Sequence, residues 1–206
     1  MSSERYTIGA ELSVELEKIK GSRFIGVVIP SHNVEEMLLR VEALWREHPE
    51  ARHICWAFRG ADRDTLRIVD DGEPSGTAGR PILAVIEGLG LESVGVAVIR
   101  YFGGTKLGTG GLARAYSSAA QAVLADAQRV TLKRRTLIRF EIDYHFEASL
   151  MYLLKQQEAL INEVAYTAKV KVSATLLDEH VEPTISAVIE RTAGRAIIEQ
   201  EPSLWI

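Results

Sequence analysis

The chain has 206 residues, of which 47% are apolar and 25% charged, and its net charge is −4. That is ample apolar material for a core, which excludes a disordered chain and sets an expectation of one or two domains. The single cysteine, Cys55, cannot form an internal disulfide, which fits a reducing compartment.

The opening stretch, MSSERYTIGAELSVEL, lacks the apolar segment of a secretion signal. Leu12, Val14 and Leu16 alternate with Ser13, Glu15 and Glu17, which is a strand period. Lys20-Gly21-Ser22 reads as a turn into a second strand, Phe24 to Ile29, stopped by Pro30. Asn33-Val34-Glu35-Glu36 reads as a capping box. The helix behind it gathers Val34, Met37, Leu38, Val41, Leu44 and Trp45 on one face and ends at His48-Pro49. Arg52 to Arg59 is a third strand: Ile54, Trp56 and Phe58 point one way, and His53, Cys55, Ala57 and Arg59 the other.

A fourth strand, Leu66 to Val69, runs into the acidic turn Asp70-Asp71-Gly72-Glu73-Pro74. A short helix follows, with Pro81 in its first turn, Ile82, Val85, Ile86 and Leu89 inward, and Gly88 and Gly90 closing it. Val94 to Arg100 is a fifth strand. Its apolar run to Ile99 spans six residues, far short of the ~20 that a membrane helix needs. No membrane partner is expected, and the cytosol is the expected location. After Gly103 to Gly111 comes a helix to about Ala125, carrying Leu112, Tyr116, Ala119, Ala120 and Val123.

Gln128 to Arg135 reads as a basic linker, which sets domain boundaries at 1–132 and 136–206. Beyond it the order is β (Thr136–Asp143), α (Phe146–Gln157), β (Glu163–Thr167), β (Lys169–Leu177), α (Val181–Thr192), β (Arg195–Gln200). This βαββαβ order predicts a ferredoxin-like domain, so the fold class is α+β. Val164 to Leu176 alternates with no clear turn residue, so one long strand is an alternative there. No repeat and no low-complexity segment stands out.

Charge is uneven. From residue 136 onward there are 6 basic and 11 acidic side chains, a balance of −5, against 18 and 17 in residues 1–135, a balance of +1. Residues 93–139 carry Arg100, Lys106, Arg114, Arg129, Lys133, Arg134, Arg135 and Arg139 against the single acid Asp126, a balance of +7. Such a window either faces an anionic partner or is a solvated face balanced elsewhere.

Three segments carry candidate chemistry. The first joins a strand to a helix and holds Arg100, Tyr101, Phe102, Gly103, Gly104, Thr105, Lys106, Gly108, Gly110 and Gly111, with Arg114 just inside the helix. Glycines there allow close backbone approach, and a helix N-terminus offers bare amides, so the segment predicts an anion site with Lys106 adding charge. It is not a P-loop, because Lys106 precedes Gly108 instead of opening the helix. Gly108-Thr109-Gly110-Gly111-Leu112-Ala113 matches a dinucleotide fingerprint on paper. The long preceding loop and the missing acid after a following strand argue against one. No cofactor is read. Tyr101 and Phe102 would stack on unpaired bases if exposed, and strand alternation predicts one buried and one exposed. The second segment is the acidic turn, where Asp70, Asp71 and Glu73 either hold Mg²⁺ or cap the following helix and pair with Arg80 and Lys106. No metal site is assigned. The third is His53 and Cys55, side by side on one strand face, as a nucleophile pair or as packing residues.

Asp70-Asp71-Gly72-Glu73-Pro74-Ser75-Gly76-Thr77-Ala78-Gly79-Arg80-Pro81 and Arg100-Tyr101-Phe102-Gly103-Gly104-Thr105-Lys106-Leu107-Gly108 resemble, without gaps, the two hallmarks of the IMPACT/YigZ family. His53 and Cys55 also resemble a recurrent pair in it. The resemblance covers the whole chain, because bacterial members carry a second domain of the type read above. It implies an N-terminal domain like the second domain of a small-subunit ribosomal protein. It implies a C-terminal ferredoxin-like domain similar to the last domain of elongation factor G. A eukaryotic relative regulates translation through an additional domain that this sequence lacks, so that partner does not carry over. The expected function is a non-enzymatic, RNA- or ribosome-associated regulator of translation that binds anionic groups at the glycine loop. A protein partner is expected for the acidic C-terminal domain. The alternative is a metal-dependent hydrolase or phosphoryl-transfer enzyme using the acidic turn and the glycine loop.

Overall fold

A computed structural model of the chain describes residues 4–62 and 65–205. It divides into two compact units, Met1–Leu132 and Lys133–Ile206. The first contains β1 (Tyr6–Ile8), β2 (Leu12–Glu15), β3 (Arg23–Pro30), α1 (Val34–Glu47), β4 (His53–Arg59), β5 (Leu66–Val69), α2 (Gly79–Gly88), β6 (Val94–Tyr101), α3 (Thr109–Asp126) and β7 (Arg129–Thr131). The second contains β8 (Arg134–Ile142), α4 (Glu147–Gln156), β9 (Leu160–Tyr166), β10 (Val170–Leu177), α5 (Asp178–Arg191), β11 (Ile197–Gln200) and β12 (Leu204–Trp205).

In the first unit an antiparallel sheet of order β2-β3-β6-β4-β5 separates two cores. Strand alternation divides the residues between them. Ile54, Trp56, Phe58 and Ile99 pack under Met37, Val41 and Leu44 of α1, whose N-cap Asn33 accepts a hydrogen bond from the Glu36 amide at 2.8 Å. Cys55, Ala57, Val96 and Val98 pack under α2 and α3 on the other face. The small residues of α3 bring it close: a Cβ at Gly26 of β3 would stand 2.5 Å from the Ala119 carbonyl oxygen.

In the second unit the antiparallel order β11-β8-β10-β9 gives the expected βαββαβ arrangement. The residues read as one possible long strand are two, β9 and β10. Thr167 and Lys169 close the turn between them: the Thr167 amide donates to the Lys169 carbonyl at 2.9 Å. α5 begins at Asp178, three residues before the sequence reading, and accommodates Pro183 inside it.

The supposed linker is mostly strand. Arg129–Thr131 is β7, paired antiparallel with β1, and Arg134 already opens β8. β12 likewise pairs with the start of β8, Leu204 with Arg135 and Trp205 with Arg134. β3 ends at Pro30, as read, but includes it, opposite Val94. Among the described residues no helix is long and apolar enough to cross a membrane.

Candidate functional site

The acidic turn is closed on itself. Asp71 and Gly72 both take positive φ, +46° and +81°, and the Glu73 amide donates to the Asp70 carbonyl at 2.9 Å. The carboxylate of Asp70 then folds over the start of α2. It accepts from the amides of Gly76 at 2.7 Å, Ala78 at 3.0 Å and Gly79 at 2.9 Å. Burial pulls its pKa upward, but the three amides outweigh that and hold it below the usual carboxylate range. The Asp71 carboxylate accepts from the Ile54 amide at 2.7 Å.

Glu73 is the centre of a buried cluster. Its Oε1 accepts from Arg100 Nη1 at 2.5 Å and from the Tyr116 hydroxyl at 2.8 Å, and His53 Nε2 lies 4.0 Å away. The side chains of Glu73 and Arg100 are 4% and 5% exposed. Arg100 is held between the rings of Phe24 and Phe102, each centroid 5.5 Å from its guanidinium carbon. A charge pair this deep resists loss of either partner more than it adds net stability.

Of the two readings left open for the acidic turn, the geometry follows the structural one: the three carboxylates engage amides at the start of α2, a strand amide and an arginine. Among the described residues no three His, Cys, Asp or Glu side chains gather as a metal site. Arg100 is not free to meet an external anion, because the central strand β6 carries it inward to Glu73. Arg80 and Lys106 pair with none of the three acids.

His53 and Cys55 share a face of β4, as strand alternation predicts, but they do not act on each other. His53 Nδ1 donates to the Asp71 carbonyl at 2.6 Å, and the Cys55 thiol donates to the Asp70 carbonyl at 3.0 Å. Burial drives the Cys55 thiol well above its usual range, so it carries little thiolate at neutral pH. The pair holds the acidic turn onto the sheet through these two bonds.

The glycine loop is the opposite case. Phe102, Gly103, Gly104, Thr105, Lys106, Gly108, Thr109 and Gly110 are all exposed. Gly108, at φ +73°, turns the chain into α3, and its carbonyl accepts the first helical bond, from Leu112 at 2.9 Å. No side chain caps this end, no acid lies in its first turn, and the amides of Thr109, Gly110 and Gly111 have no partner among the described residues. Arg114 folds back over it, with Nη1 3.7 Å from where a Cβ of Gly110 would stand. Lys106 and Arg114 pair with no carboxylate among the described residues. Tyr101 is half-buried and donates to, or accepts from, His48 Nδ1 at 2.8 Å, while Phe102 remains 49% exposed. The end of β6 and the residue after it therefore give one half-buried and one exposed ring, where alternation predicted one fully buried.

Sequence reading missed what fixes this loop in place. Gly103 meets the turn between β2 and β3 backbone to backbone. A Cβ there would stand 1.9 Å from the Gly21 carbonyl carbon, and the Gly103 amide donates to Ser22 Oγ at 3.1 Å. The exposed Lys20 sits on that same turn. Nothing local could have revealed it, since the contact spans some eighty positions along the chain.

The arrangement defines a two-domain α+β protein with one sealed acidic turn and one open, basic strand–loop–helix junction. The profile described as "Impact N-terminal domain" matches residues 20–124, and that described as "Domain of unknown function (DUF1949)" matches residues 140–195. An IMPACT family member of Haemophilus influenzae is 33% identical over 197 residues, covering 94% of this chain and 96% of its own. The Escherichia coli member YigZ is 37% identical over 179 residues, 84% of this chain and 86% of its own. A solved structure described as "Crystal structure of an hypothetical protein" matches with TM-score 0.72 and 34% identity over 96% of this chain and 97% of that one. The chain belongs to the IMPACT family.

Proposed function

We propose that the protein is a non-enzymatic, RNA- or ribosome-associated regulator of translation that binds anionic groups at the N-terminus of α3. One observation carries the reading: this helix start is left uncapped and open, with Lys106 and Arg114 unpaired beside it. A phosphate would meet three bare amides and two full charges there. Phe102, exposed on the same loop, offers a face to an unpaired base. The proposal takes the first unit as like the second domain of a small-subunit ribosomal protein, and the second unit as like the last domain of elongation factor G. It points the anion towards RNA and the location towards the cytoplasm. Phosphate binding falls to residues 1–132. Residues 136–206, with a balance of −5, repel phosphate and take a protein partner instead.

Fluorescence anisotropy of a labelled single-stranded oligoribonucleotide, followed from low to high salt, tests the reading. Affinity should fall steeply with salt, and Lys106→Ala should flatten the log–log slope by about one unit. An oligonucleotide that fails to bind even at low salt would overturn it.

A further inference from the structure

β9 is an edge strand, paired with β10 on one side and, among the described residues, with no strand on the other. The remaining edges of the two large sheets are shorter: β2, β5 and β11 have four residues each and β12 has two, whereas β9 has seven. Leu160, Ile161 and Tyr166 along it are 56%, 40% and 61% exposed. A long apolar edge is a template for another strand, and proteins usually blunt it. Here the blunting is partial. A register shift opposite Ser173/Ala174 takes Asn162 out of the ladder, but Glu163 to Tyr166 stay in regular pairing with β10.

The chemistry around this edge is acidic. Glu163 lies in the strand, Glu158 just before it, and Glu147 accepts from the Tyr166 hydroxyl at 2.7 Å. None of the three pairs with a basic side chain among the described residues. Tyr144 stacks on Tyr166, centroids 6.4 Å apart, and both rings are exposed. The edge thus offers backbone groups, apolar surface and unbalanced negative charge together.

We propose that β9 docks an extended basic segment of a protein partner, which adds to the sheet of the second unit as a further strand. The proposal deepens the reading above only in its assignment of a protein partner to residues 136–206. Backbone pairing gives the affinity, and Glu163 with its neighbours selects lysine or arginine in the incoming strand. A second copy of this chain fits less well. Two β9 strands pairing antiparallel about their midpoint would set Glu163 opposite Glu163, and like charges directly opposite are unfavourable.

The test uses the full chain and a short synthetic peptide of alternating lysine and valine. A control of the same sequence is N-methylated at alternate residues, which removes backbone donors without changing charge. The unmodified peptide should bind and slow hydrogen exchange of the amides in 160–166, and the control should not. Glu163→Lys, an exposed change, should weaken binding about tenfold. Equal binding of the control, protection confined to other segments, or no binding at all would overturn the proposal. Exchange in 160–166 that slows with protein concentration in the absence of peptide would assign the edge to a second copy and overturn it too. The peptide assay contains no RNA, so its outcome is separate from that of the salt titration at α3.

Discussion

The acidic turn before α2 and the glycine loop before α3 are built from similar material and end in opposite states. Both are glycine-bearing connections that lead a strand of one sheet towards a helix on the same face. At α2 the protein supplies its own anion, the Asp70 carboxylate, to the first amides of the helix. At α3 the corresponding amides are bare, and the nearest charges are positive. The closed end shows the kind of group such amides accept, a carboxylate oxygen, and that pattern is what the proposed anion site at the open end rests on.

The sharpest way to break this contrast is at the buried pair. Arg100→Ala removes the buried cation that Glu73 faces, and should cost about 3–5 kcal/mol in urea unfolding of the first unit. Lys106→Ala on the open side should stay within about 0.5 kcal/mol of the parent. Equal, small losses would mean that the acidic turn is not sealed by its charges.

Next in size is the cap itself. Asp70→Ala should cost about 0.5–2 kcal/mol. Because the folded pKa of Asp70 lies below its unfolded value of 3.8, its contribution is fully present above that pH. It disappears as pH falls through the lower folded value. Acid titration of stability should therefore show a component in the parent that Asp70→Ala lacks.

A smaller effect sharpens the comparison from the other side. Thr109→Asp places an acid in the first turn of α3 and should stabilise the protein by about 0.3–1 kcal/mol. The same change should weaken oligoribonucleotide binding, since the protein then fills its own site. Stabilisation without loss of binding would move the anion site away from this helix end. Smallest of all is the response of Cys55: a thiol reagent at neutral pH should leave it unlabelled until the protein unfolds, because the thiol is buried and protonated.

Much of this was legible from the chain alone where the cause is local. Alternation placed His53 and Cys55 on one face of β4 and Ile54, Trp56 and Phe58 on the other. Asn33 and Glu36 announced the start of α1. Glycines after β6 announced the loop, on which Lys106 is exposed, as is Arg114 in the helix behind it. What stayed hidden depends on pairing at a distance. Arg100 reads as one more basic residue until Glu73, twenty-seven positions away, is brought beneath it. β1, β7 and β12 are too short to show a period, and they exist only through their partners. The turn between β9 and β10 carries no glycine or proline; Thr167 makes it by bonding its own neighbourhood.

Those short strands have a consequence for how the chain can be handled. β1 and β7 set Tyr6 beside Thr131, and β8 and β12 set Arg134 beside Trp205. Each unit is thus entered and left at adjacent points, the ~5 Å spacing of an antiparallel pair. Pulling on the chain ends would load these ladders at their outermost pair and peel them one rung at a time, instead of straining all rungs together. The same closeness of ends makes each unit a cassette that could be spliced into a surface loop of a host protein without stretching either.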